Sequence, residues 1–121
     1  MKFEDYKAQQ EIWFDADCAG DKAAMDCLPN PMYVHDGNGN EWFVSDGLCG
    51  FATIHIKSAR SKFVSYLKKD NMGYKNPIGS GYRLPVNEYG QSYERSKAYA
   101  EAFVTVLRNH GVECYAESRL D

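Results

Sequence analysis

No apolar run in the chain of 121 residues approaches the roughly 20 needed to cross a bilayer. The amino terminus, MKFEDYKAQQ, is amphipathic and lacks the basic and apolar regions of a signal peptide, which predicts a cytoplasmic location. Cysteines number only 4, and in a chain without an export signal they are expected as free thiols. Cys18 and Cys27 stand farther apart than the partners of a Cys-x(2–4)-Cys zinc knuckle. Whether the fold brings them together with His35, His55 or His110 stays open at this stage. Neither GxxxxGK[ST] nor GxGxxG occurs, which removes the usual phosphate and dinucleotide loops. No internal repeat or low-complexity tract occurs. No metal and no cofactor are expected.

What is present is the material of a core. Hydrophobic residues make up 44% and aromatics 14%, too much for a disordered chain, and the length suits one domain that closes without disulfides.

HDGNGNEWFVSDG, at 35–47, begins like a calcium loop. Counted from Asp36, Asn38 and Asn40 fall at the third and fifth ligand positions. The sixth position then holds Glu41 in place of the turn glycine, and the twelfth holds Gly47 in place of a bidentate glutamate. The flanks, NPMYVH and EWFVS, are aromatic and β-branched, as strands are. The segment therefore reads as a hairpin over about 31–35 and 41–45, its tight turn made by Gly37 to Asn40.

Before the hairpin, Phe3, Tyr6, Gln10 and Trp13 recur at helical spacing. That helix is expected to run to about Asp17 and break at Gly20, with a further turn before Pro29 and Pro31. After the hairpin, FATIHIK alternates as a strand, and Ser58 or Ser61 can cap a helix carrying Ala59, Phe63, Tyr66 and Leu67. Residues 70–81, rich in glycine, predict a mobile loop, and YRLPV a short strand at a sheet edge or ending at Pro85. Tyr99, Ala102, Phe103, Val106, Leu107 and His110 form one stripe of a helix over 92–110, with Ser92 as N-cap and Gly111 following its end. VECYA then predicts a last strand. The order α, ββ, βαβ, αβ predicts an α+β fold. It is a single two-layer domain with a mixed sheet, a β-hairpin and helices mainly on one face. Residues 1–28 form a helical arm on a sheet-and-helix body over 31–121.

Charge is polarised. Residues 1–47 carry 3 basic and 10 acidic side chains, whereas residues 48–87 carry 7 basic ones against Asp70 alone. The acidic arm, with Asp5, Glu11, Asp15 and Asp17 around Trp13 and Phe14, suits docking onto a basic protein surface. The basic segment interleaves Lys57, Arg60, Lys62, Lys68, Lys69 and Arg83 with Tyr66, Tyr74 and Tyr82, the mixture a single-stranded nucleic-acid site uses. Mutual neutralisation of the two segments is the competing outcome. For catalysis, Cys49, His55 and Asp46 are the one imaginable triad, but an extended strand holds Cys49 and His55 roughly 20 Å apart. Asp15 and Asp17 point about 200° apart on a helix, so no catalytic residue is expected.

SDGLCGFATIHI at 45–56 and YGQSYERSKAYAEAFVTVLRNHGVECYAESRLD at 89–121 resemble small proteins of tailed bacteriophages. That family has no assigned activity, so no functional residue carries over. The resemblance implies a small soluble viral product acting in the host cytoplasm by binding a host protein. A nucleic-acid module on the basic segment is the second expectation, and a small Cys/His enzyme or metal protein the third.

Overall fold

The computed structural model of the chain describes residues 2–27, 32–35, 37, 39, 41–44, 49–89 and 92–120. Its elements are α1 (Phe3–Asp26), β1 (Met32–His35), β2 (Glu41–Val44), β3 (Gly50–Ile56) and α2 (Lys62–Lys69). They continue with β4 (Tyr74–Lys75), β5 (Tyr82–Pro85), α3 (Tyr93–Asn109) and β6 (Cys114–Leu120). β1 and β2 form the expected antiparallel hairpin, from Met32 opposite Val44 to His35 opposite Glu41. The other four strands form one open sheet in the order β4-β5-β3-β6.

That sheet is antiparallel throughout. A β-α-β sequence led to the expectation of a mixed sheet, because its two strands run the same way. Here β5 lies between β3 and β4, so the two parallel strands never touch. From β3 onward the chain is a split β-α-β-β-α-β unit. Period-two alternation gives the sheet two faces. Ala52, Ile54 and Ile56 enter the core with Phe63, Val64 and Leu67 of α2 and Phe103, Val104 and Leu107 of α3. The result is the expected single α+β domain with its helices gathered on one face.

Caps follow the local chemistry. The Ser61 hydroxyl accepts the Val64 N–H at 3.2 Å, which settles the choice between Ser58 and Ser61. At the far end of α3, Val112 N–H donates to the Leu107 carbonyl and Gly111 N–H to the Arg108 carbonyl, a Schellman closure made possible by the positive φ of Gly111. His110 is the C-cap and is exposed, so the apolar stripe stops at Leu107.

Two expectations are corrected, and one is settled between its two alternatives. Residues 70–81 are not one loose loop. Tyr74 and Lys75 pair with Arg83 and Tyr82, and the turn is stitched by Asn76, whose N–H donates to the Gly81 carbonyl and whose side chain donates to that of Ser80. Pro85 ends β5, the second of the two expected alternatives, and the strand lies inside the sheet. Its lost N–H costs no ladder bond there, because the two-residue β4 does not reach it. Finally, α1 does not break at Gly20 but runs unbroken from Phe3 to Asp26.

Gly20 is there for another reason. A Cβ at this position would lie 2.5 Å from Cδ2 of Tyr99 and 3.0 Å from its Cγ, so the missing side chain lets α1 approach α3 closely. Ala16 and Ala24, one turn to either side, are fully buried in the same seam. Gly20→Ala would gain about 1 kcal/mol of helix propensity but overpack a buried ring, which costs about 1–3 kcal/mol. We expect a net loss, read as a lower denaturation midpoint with an unchanged m-value. A more stable variant would show that the two helices are not in close contact.

Candidate functional site

Three surfaces gather side chains with chemical potential. The first lies between α1 and the end of α2. A broad groove of about 870 Å³ is lined by Gln10, Glu11, Trp13 and Phe14 on one side and by Lys69, Asn71 and Met72 on the other. Trp13 packs half-buried against the core, while Phe14 is 61% exposed. Phe3 and Met25, eleven residues before and after Phe14, are also exposed, and at 100° per residue all three share one side of α1.

The acids of the arm divide between two tasks. Glu11 and Asp15 are exposed. Asp5 lies 3.5 Å from the ammonium of Lys62, and Asp17 accepts the hydroxyl proton of Tyr99 at 2.5 Å. Of the residues expected to dock a partner, Glu11, Trp13 and Phe14 thus meet at the groove, and Asp5 and Asp17 are held by intramolecular contacts.

The basic segment is dispersed. Tyr66 and Tyr82 are buried in the core, with no ring face open to a base. Burial, and next the Asp70 carboxylate, hold the Tyr66 hydroxyl well above its ordinary pKa. The Tyr82 hydroxyl donates to the Met72 carbonyl at 2.7 Å. Lys68 and Lys69 lie over the rings of Tyr82 and Tyr6, at 5.9 and 5.3 Å from their centroids. Lys57 and Arg60 are exposed, Tyr74 is exposed at the sheet edge, and Arg83 lies 3.3 Å from Glu117. The acidic arm therefore neutralises part of this segment, at Lys62.

The second surface was not foreseen. Asp17 and Asp21, one turn apart on α1, meet Glu88 from the loop before α3, with ligand oxygens all within 4.8 Å of one another. Among the described residues this is the one group of three side chains close enough to hold a metal, and its oxygens suit a hard cation. Tyr99 donates to Asp17 and Tyr89 to Asp21, so both aspartates are oriented by the fold itself. Lost hydration at the Glu88 carboxyl and its two acidic neighbours push its pKa up to about 7. The i, i+4 spacing of Asp17 and Asp21 is visible in the sequence, but Glu88 joins them only through the tertiary fold.

The third surface is the face of the sheet turned away from the helices. β3 sends Phe51, Thr53 and His55 there, opposite Arg119, Glu117 and Tyr115 of β6. The expected Cys49–His55 pair is not assembled: Cys49 is exposed before β3, His55 stands near the other end of that strand, and Asp46 lies outside the described residues. The other thiols do not join a histidine in any group of three described ligands, and the side chain of His35 lies outside the described residues.

Comparison of the chain with protein-family models, with curated proteins and with solved structures finds no match.

The carboxyl cluster gives a pH dependence of known sign. Glu88 has its pKa raised in the fold, from an ordinary 4.5 to about 7, so its contribution is full below pH 4.5 and is lost as pH rises through 7. Conformational stability should therefore fall between about pH 4.5 and 7 by an amount that Glu88→Gln removes. Parallel stability–pH curves for the parent and the variant would show that the cluster is not strained.

Proposed function

We propose that the chain is a small, soluble, non-enzymatic interaction protein of bacteriophage origin. It acts in the host cytoplasm by binding a host protein at the groove between α1 and the end of α2. The observation that carries this reading is Phe14, a large aromatic side chain 61% exposed at the lip of a groove whose floor includes Trp13. Aromatic anchors beside a pocket dominate the energetics of protein interfaces. The surrounding charge supports an amphipathic partner. Glu11 and Asp15 are left exposed for basic residues, while Lys69 stands on the opposite wall.

The enzymatic alternative has no comparable support, because the thiol and imidazole it needs stand at opposite ends of β3. The phage origin and the host target rest on the resemblance of residues 45–56 and 89–121.

The test is retention of a bacterial protein by the immobilised chain after nuclease treatment. Phe14→Asp should weaken that capture about tenfold or more, in keeping with an interface hot spot, while the circular dichroism spectrum is unchanged. Capture that survives Phe14→Asp, or that disappears with nuclease, refutes docking at the groove.

A further inference from the structure

We propose that the face of the four-stranded sheet turned away from the helices binds single-stranded nucleic acid. The proposal is independent of the α1 groove and uses the opposite side of the domain.

The strand registers place a row of four side chains across the whole sheet. Tyr74 faces Arg83, Arg83 faces His55, and His55 faces Tyr115. One step along β3 toward its start, Thr53 stands opposite Glu117, and one step further Phe51 stands opposite Arg119. Directly opposed residues share a face, and β3 turns Ala52, Ile54 and Ile56 the other way, into the core. The surface between these rows is a shallow concavity of about 700 Å³, lined by Phe51, Thr53, Tyr74, Arg83, Glu117 and Arg119.

The chemistry of this face selects its ligand. Phe51 and Tyr74 are 44% and 47% exposed, a high cost in water unless a flat apolar surface covers them. Arg119 is exposed, and Arg83 bridges across β3 to Glu117, so two cations stand with a single carboxylate around the rings. Aromatic rings that stack bases, set among cations that meet phosphates, are the requirements of single-stranded binding. A duplex keeps its base faces covered and offers these rings nothing. Four-stranded sheets with helices behind them serve RNA recognition by this same physical division of faces.

His55 supplies a further observation. It is 7% exposed, its ring lies 4.8 Å from that of Tyr115, and Gly81 packs against its Nε2 edge. Its Nδ1 is buried without a hydrogen-bond partner. With two open rings and two arginines the footprint is short. Affinity should be modest and should fall with salt at a log–log slope of about −1, following the few phosphates met.

The experiment is fluorescence anisotropy with labelled oligo-dT and oligo-U, a duplex of equal length, and an acidic peptide of matched charge. Single strands should bind saturably and more tightly than duplex or peptide. Phe51→Ala and Arg119→Glu, both at exposed positions, should each weaken them roughly tenfold, and Phe14→Asp should leave them unchanged. Equal binding of duplex or peptide, indifference to Phe51→Ala, or no saturable binding at low salt would overturn the proposal. Sensitivity to Phe14→Asp instead would move the site to α1.

Discussion

The close approach of α1 to α3 is the constraint from which the other surfaces follow. It depends on a run of small residues, Ala16, Gly20 and Ala24, against the ring of Tyr99. Tyr99 is held from its other end by Asp17, so the ring cannot swing away to admit a larger neighbour. Once this seam closes, the rotation of α1 about its axis is set. Asp17 and Asp21 are carried to Glu88, Trp13 to the groove, and Phe3, Phe14 and Met25 to the outside. The arm is thus part of the body, because its small-residue face has no other place to be buried.

This constraint also explains the limits of reading the sequence. Periodicity located the helices and strands well where the apolar pattern was strong, as in α3 and β3. It failed at Gly20, where a glycine looked like a helix break. Glycine in a helix interior costs about 1 kcal/mol, a local penalty that tertiary packing readily outweighs. Nothing near position 20 announces a tyrosine seventy-nine residues later. Pro85 was legible as the end of its strand, although its place inside the sheet depends on how short β4 is. The same blindness affected the sheet order, since β-α-β connectivity says nothing of which strand fills the gap.

Charge was legible as composition and misleading as surface. The basic segment, continuous in sequence, is cut apart by an alternating strand, a helix and a hairpin that point successive side chains in different directions. Tyr66 and Tyr82 go inward because their rings are needed for the core, and their hydroxyls must then find partners. The acidic arm is cut in a similar way. Asp5, Asp17 and Asp21 are consumed by Lys62, Tyr99 and Tyr89, and the acids left outward are fewer than the sequence suggests. Function on such a chain is read from what folding leaves unused.

By that measure the two faces of the sheet differ in kind. The inner face centres on Ala52, Ile54 and Ile56, buried beneath the helices, and packing explains them. The outer face carries Phe51, Tyr74, Tyr115 and His55 beside arginines, although a strand facing only water would be served as well by threonine and lysine. Exposed rings raise the free energy of the isolated domain and add nothing to its core. A buried imidazole nitrogen with no partner adds a second cost at the same place. Both costs lie on one face of the sheet, and the cost of the rings falls if a ligand with flat faces occupies the concavity they line. That coincidence separates this face from the scattered exposed side chains found on any protein, such as Ile78 in its turn.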